Sequence, residues 1–246
     1  MSNHSPFKFT DPALADSQVW HHEKSRWQDI KLARHPLFGE QLILDDDLQY
    51  STADSIYDEI LVAPVLPLDR LTRVGILGGG DGGVLATLVG HTRRLGRPLS
   101  EVVMIDIDEV VTGLCRKAFP HHWNRIDNAP EASVINGDAF AWLDSARGLD
   151  ALIYDLTMNP VREGQTREAF VQETLQRIAN ALRPGGVLTM QCCGQGYSSD
   201  DLARHDAWLS FIGKALEQDF TAIQTHTALV PSFLEPWTFL RAQRKG

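Results

Sequence analysis

The chain has 246 residues, 43% hydrophobic and 22% charged, enough to bury one large domain with a small appendage. A net charge of −9 argues against nucleic acid, whose phosphates demand a basic face, and permits attraction of cationic small molecules. No apolar run approaches membrane-spanning length and none at the start resembles a signal peptide, so no membrane partner is expected and a cytoplasmic setting is.

In chain order, residues 1–25 read as a loose polar arm with one strand near Gln18-Val19-Trp20. Trp27 to Arg34 alternates polar and apolar as a half-buried strand does, Pro36 to Gly39 is a turn, and Glu40 to Leu44 is a second strand. Asp45-Asp46-Asp47 reads as a solvated turn rather than a metal site, and Leu48 to Ser51 as a further short strand. Asp54 is expected to cap a helix running to Ala63, with Ile56, Ile60 and Ala63 facing inward and Pro64 stopping it. These elements form a small N-terminal layer over residues 1–66, and residues 67–246 form a larger domain.

From Arg73 onward strand and helix alternate. Strands are expected at Val74–Leu77, Val102–Ile105, Val134–Ile135, Leu149–Tyr154 and Val187–Gln191, with late strands at Thr221–Thr227 and Trp237–Arg241. Helices are expected from Val84, over Glu109–Phe119, Glu168–Leu182 and Asp200–Gln218; His91 to Ser100 reads as a polar insert and Arg183 to Gly186 as a stop-and-turn. This alternation specifies an α/β fold with a mostly parallel sheet and helices on both faces. The cysteines, Cys115, Cys192 and Cys193, show no metal spacing. Neighbouring strand residues point to opposite faces, so Cys192 and Cys193 are expected as reduced thiols.

The glycine loop Gly78-Gly79-Gly80-Asp81-Gly82-Gly83 sits between the first of these strands and its helix, the context in which such a loop binds a ligand. A loop built for phosphate would not carry Asp81 at its centre, because the carboxylate repels anions. The ligand at this point is therefore read as neutral or cationic. The second, third and fourth strands also end near acids, Asp106, Asp138 and Asp155. Ligands bind beyond the carboxyl ends of such strands, so four carboxylates are expected in one cleft. Asp106 stands where a ribose-binding acid stands in dinucleotide folds, at a somewhat longer spacing than usual. Asp138 is assigned to an adenine amino group, Asp81 to an ammonium, and Asp155 to chemistry. An adenosine without phosphate joined to a positive group is an S-adenosylmethionine-type ligand. Asp81 opposes the amino-acid carboxylate of that molecule and favours its decarboxylated form.

These residues resemble the polyamine aminopropyltransferases, the spermidine and spermine synthases. The resemblance runs from about Trp27 to Trp237 and includes Trp27-Gln28, Phe38 to Leu44, Gln49 with Tyr57-Asp58-Glu59, Gly137-Asp138 and the Asp155 turn. Two stretches, Asp155-Leu156-Thr157 and Pro231-Ser232-Phe233-Leu234-Glu235-Pro236-Trp237, are more similar to spermine than to spermidine synthases. The shorter Asp106 replaces the Glu usual in the family. The resemblance implies a Rossmann-like, class I methyltransferase-like sheet with a small antiparallel β layer and a gate helix. It implies transfer of an aminopropyl group from decarboxylated S-adenosylmethionine to spermidine, without a metal, by a homodimer. Asp155 and Tyr57 become the catalytic pair, and Gln28, Gly78, Gly80, Asp81, Asp106, Asp138 and Ala139 hold the donor. Gln49, Asp54, Asp81, Gln191, Glu235 and Trp237 hold the acceptor. A putrescine-using synthase, an S-adenosylmethionine-dependent methyltransferase and a non-catalytic polyamine- or nucleoside-binding protein are the rival readings.

Overall fold

The computed structural model describes residues 11–97, 99–156 and 164–246. A first sheet is antiparallel, with strands β1 (Gln18–Lys24), β2 (Asp29–His35), β3 (Gly39–Leu44) and β4 (Asp47–Ser51) paired in sequence order. Strand β1 extends through Lys24 and so replaces the end of the expected loose arm; pairing with β2 holds it although most of its residues are exposed. In the β2–β3 register Ile30 faces Leu44 and Leu32 faces Leu42. Period-2 alternation then sends Ile30, Leu32 and Leu42 into the main core and Ala33 and Ile43 to the other face with Ala13 and Leu14; a register shift in the β3–β4 pairing lets Tyr50 join the first set and Leu48 the second. Asp45 and Asp46 take positive φ values of 50° and 65°, which short polar side chains tolerate in a hairpin turn. Lys31 reaches back to Asp29 and Asp46.

Helix α1 (Ser55–Val62) corrects two expectations. Asp54 occupies its N-cap position but makes no capping hydrogen bond. Of the expected inward face, Ile60 packs half-buried against the core, but Ile56 is 41% exposed and Ala63 is exposed, whereas Asp58, Leu61, Val62 and, just past the helix, Val65 are buried. Those four stand at the i, i+3, i+4, i+7 spacing of a single helical face, and the charge at position 58 disguises the pattern.

The second sheet contains β5 (Arg73–Gly78), β6 (Glu101–Asp106), β7 (Ala132–Asn136), β8 (Leu149–Asp155), β9 (Leu182–Gly194), β10 (Phe220–Val230) and β11 (Glu235–Arg244), in the order β10-β11-β9-β8-β5-β6-β7. Strands β5 to β9 run parallel, and β11 and β10 add antiparallel at one edge. The connecting helices are α2 (Gly83–Arg94), α3 (Glu109–Ala118), α4 (Pro120–Asp127), α5 (Ala139–Ser145), α6 (Arg167–Ala181) and α7 (Ser199–Leu216). Alternate residues of the strands divide between two cores. Val74, Ile76, Val102, Met104 and Ile153 pack toward α1 to α4, and Leu77, Val103, Ile105, Leu152 and Tyr154 toward α5 to α7. A parallel sheet covered on both faces needs this continuous apolar sequence. The α/β expectation holds, with the Rossmann-like, methyltransferase-like order.

Three local readings change. His91 to Arg94 is the last turn of α2, not a polar insert. Helices α4 and α5 occupy stretches to which the sequence assigned no element. Arg183 to Gly186 lies inside β9: Gly185 turns the chain with φ of 75°, and the β8–β9 register shifts between Leu149 and Ala151, so the bulge is absorbed within the strand. Cys115, Cys192 and Cys193 are free and buried.

Strand β5 has β6 on one side and β8 on the other. Its neighbours are thus its successor and a strand reached only after two further strand–helix units. At this switch the helices leave β5 and β8 on opposite faces, opening a crevice at their carboxyl ends.

Candidate active site

A cavity of about 640 Å³ occupies that crevice. Its floor is the β5–α2 loop. Gly78 has φ of 79°, and a Cβ there would fall 2.1 Å from the Asp155 carbonyl oxygen. A Cβ on Gly80 would fall 2.7 Å from Asp106 Oδ2. Only glycine lets the loop lie against the ends of β6 and β8 in this way. Asp81 closes the loop: its Oδ1 accepts from the Gly83 N–H at 2.7 Å, and the Trp123 indole N–H donates to its carbonyl at 3.0 Å.

Three strand-end carboxyls meet here. Asp81, Asp106 and Asp155 all line the cavity and all are half-buried. Burial pushes Asp155 up to about 7, and the charge of Asp81 pushes the same way. Burial pushes Asp81 up to about 6, opposed by the hydrogen bond from Gly83. Asp106 is raised by burial, against the Asp108 N–H that donates to its Oδ1 at 2.9 Å. Tyr57, on α1, donates its phenolic proton to Asp155 Oδ1 at 2.6 Å. Burial, then the charge of Asp155, raises the phenol well above its ordinary value, so it stays a donor. Its ring is set edge-on against Phe239 at 5.2 Å.

The rest of the lining extends this character. Gln28 comes from the β1–β2 connection and Gln49 from β4; Gln49 Nε2 donates to Asp47 Oδ2 at 2.9 Å and Gln28 Nε2 to Asp108 Oδ2 at 2.9 Å. Gln191 Nε2 donates to the Leu156 carbonyl at 2.6 Å, and its Oε1 accepts from the Trp237 indole at 3.2 Å. Glu235 Oε2 accepts from the Gly196 N–H at 2.8 Å. Among the described residues lining the cavity, Asp11, Asp45, Asp47, Asp81, Asp106, Asp155 and Glu235 are acidic, and no Lys, Arg or His is present. Carboxylates drawn together out of water without a cation raise one another's pKa and favour a ligand that brings positive charge.

Three expected site residues lie elsewhere. Asp54 is 2% exposed and does not line the cavity; its Oδ1 accepts from the Ser232 N–H at 2.9 Å and its Oδ2 from the Ser232 hydroxyl. Its carboxylate is thereby engaged in fixing the segment that carries Glu235 and Trp237, which corrects both the helix cap and the acceptor contact. Asp138 accepts from the Phe140 N–H at 2.8 Å as the N-cap of α5, and Ala139 is the buried first residue of that helix; neither lines the cavity. Of the Asp155 turn, the residues from Thr157 onward fall outside the described residues. Asp11, Asp45, Asp47 and Phe233 are lining residues that sequence reasoning did not assign.

A family model described as the spermine/spermidine synthase domain matches residues 54–245. The chain belongs to that family. It is 30% identical over 229 residues to polyamine aminopropyltransferase 2 of Pseudomonas aeruginosa, covering 92% of this chain and 62% of that protein. The chain thus spans under two thirds of that relative's length. It is 30% identical over 234 residues to a thermospermine synthase of Arabidopsis thaliana, covering 94% of this chain and 66% of that one. Among solved structures, a spermidine synthase in complex with the transition-state analogue AdoDATO superposes with a TM-score of 0.74 at 20% identity, over 93% of this chain and 72% of that chain. The spermidine synthase of Thermotoga maritima gives 0.73 at 21% identity, over 93% and 72%. These structural likenesses carry the fold.

Proposed function

We propose that this family member transfers an aminopropyl group from decarboxylated S-adenosylmethionine to spermidine, giving a tetraamine and 5′-methylthioadenosine. The observation that carries the reading is the set of strand-end carboxyls Asp81, Asp106 and Asp155 lining one cavity with no basic residue among its described lining. Asp81 beside the glycine loop favours the ammonium of the decarboxylated donor and disfavours the carboxylate of S-adenosylmethionine itself, which separates aminopropyl from methyl transfer. Gln28, Gly78, Gly80 and Asp106 surround the nucleoside end.

The chemistry is a displacement at the carbon next to the sulfonium. The acceptor nitrogen's lone pair forms the new C–N bond, the C–S bond breaks, and sulfur leaves as a neutral thioether. The leaving group is already activated. The obstacle is the acceptor amine, which with a lysine-like pKa near 10 is protonated at neutral pH. Asp155, raised to about 7, is matched to take that proton, and Tyr57 orients the carboxyl. The remaining acceleration comes from holding nitrogen, carbon and sulfur in line.

The acceptor assignment rests on Glu235, which lines the cavity with Trp237 beside Phe233 at 4.8 Å between ring centres. Glu235 is placed to hold an ammonium and Trp237 to cover methylenes. A homodimer, which the sequence resemblance implies, is part of this proposal, and light scattering tests it against the 27.4 kDa of one chain. The free, buried cysteines support a reducing, cytoplasmic setting, which fractionation tests.

Product analysis decides the function. The protein is incubated with decarboxylated S-adenosylmethionine and separately with putrescine, spermidine and longer amines, and products are resolved against spermine and thermospermine standards. A tetraamine from spermidine, reduced by Glu235→Gln chiefly through KM for spermidine, supports the reading. Spermidine formed from putrescine keeps the mechanism and overturns the acceptor. Binding of the donor without transfer to any amine overturns the catalytic reading.

A further inference from the structure

The geometry points to Asp108 as a positioning residue that clamps the small sheet onto the nucleoside end of the cavity. It is 1% exposed and does not line the cavity, yet it joins three elements. Its Oδ1 accepts from the Val110 N–H at 3.0 Å and caps α3. Its Oδ2 accepts from the Ser25 hydroxyl at 2.6 Å and from Gln28 Nε2 at 2.9 Å, residues about eighty positions earlier in the chain. Its backbone N–H donates to Asp106 Oδ1 at 2.9 Å. One residue therefore sets both the acid assigned to the ribose and the glutamine facing it across the cleft.

The chemistry of the site demands a carboxylate. Asp108 must accept a helix N–H on one oxygen and two side-chain donors on the other, and hydrogen bonds to an ionised acceptor are the stronger kind. Ser25 in turn organises the β1–β2 connection: its hydroxyl oxygen accepts from the Trp27 N–H at 3.0 Å and the Gln28 N–H at 3.2 Å, and its N–H donates to the Gln28 carbonyl at 3.0 Å. That connection is half-exposed and has little apolar packing of its own; Trp27 is 47% exposed. The Asp108 carboxylate is what fixes it to the seven-stranded sheet. A binding side chain must be held close to its productive geometry, and small misplacements cost much of its effect.

The inference rests on the aminopropyl-transfer reading for its kinetic test but not for its structural one. Asp108→Ser retains an oxygen able to cap α3 and is too short to reach Ser25 and Gln28. Kinetics are measured for this variant, for Gln28→Ala and for the double variant, together with 5′-methylthioadenosine affinity by calorimetry and hydrogen exchange over residues 25–28. Each single substitution is expected to raise KM for the donor about tenfold, equivalent to ~1.4 kcal/mol. The acceptor KM and kcat should stay within about threefold. The double variant should be no worse than either single one, and Asp108→Ser should speed exchange over 25–28. Effects that multiply in the double variant, a lowered kcat with unchanged donor KM, or unchanged exchange would overturn the tether. If the unmodified protein transfers nothing to any amine, the transfer reading fails, and nucleoside affinity and exchange still decide the clamp.

Discussion

Asp155→Asn should inactivate the protein and stabilise it at the same time. Burial pushes this carboxyl up from 3.8 to about 7, with the charge of Asp81 adding to the rise. For an acid raised in the folded state, the unfolded chain ionises first as pH rises. Folding stability is therefore lost progressively from about pH 4 to about pH 7 and is constant above. At ~1.4 kcal/mol per pKa unit the full cost is of the order of 4 kcal/mol. The group is half-buried and part of its rise comes from the charge of Asp81, so about half of that, ~2 kcal/mol, is the magnitude to expect. An amide keeps an oxygen to accept from Tyr57 and cannot ionise, so it escapes this cost. For a chain of this size ~2 kcal/mol corresponds to a rise in Tm of roughly 4–8 °C at pH 8, shrinking toward zero near pH 4. Loss of the proton acceptor should lower kcat by about 10²–10⁴. Affinity for 5′-methylthioadenosine, which is uncharged, should survive. Scanning calorimetry of the ligand-free protein from pH 4 to 8 and chromatographic measurement of methylthioadenosine release supply both readings. A variant less stable than the parent at pH 8, or one within tenfold of parental kcat, refutes the argument.

Two further outcomes follow from the same geometry. Asp81→Asn should weaken binding of the decarboxylated donor by at least tenfold more than binding of methylthioadenosine, because only the donor brings an ammonium; equal losses by calorimetry would remove Asp81 from that role. Asp54→Ala should cost about 1–3 kcal/mol, since it strands the buried Ser232 N–H and hydroxyl. It should also raise KM for the acceptor through the displaced Glu235 and Trp237; an unchanged Tm with unchanged acceptor KM would count against that tie.

Local chemistry made much of the molecule legible in the chain. Apolar runs of strand length followed by glycine or acid turns placed β5, β6, β7 and β8, because a parallel sheet covered on both faces needs continuous apolar strands. The acid within the glycine loop pointed to a neutral or cationic ligand before any geometry, since a carboxylate there opposes phosphate. Asp81, Asp106 and Asp155 share the cleft because parallel strands deliver their carboxyl ends to one edge of the sheet.

Other features depended on contacts between residues distant in sequence. Whether an aspartate faces a ligand or a backbone N–H is set by which groups lie within about 3 Å, and local sequence carries no record of that. Hence Asp54 reads as a helix cap or an ammonium ligand and instead holds Ser232, 178 residues away. Asp138 reads as an adenine contact and caps α5. Asp58 interrupts an apolar helical face that becomes visible only when α1 is seen packed against α2. The sequence by itself determined the alternation of elements and the glycine turn, and with them the expectation of a ligand that is not anionic, all of which follow from spacings of a few residues. Tertiary structure alone decided which carboxyls are free to meet that charge, because each is claimed or released by partners brought together only when the two sheets close on one another.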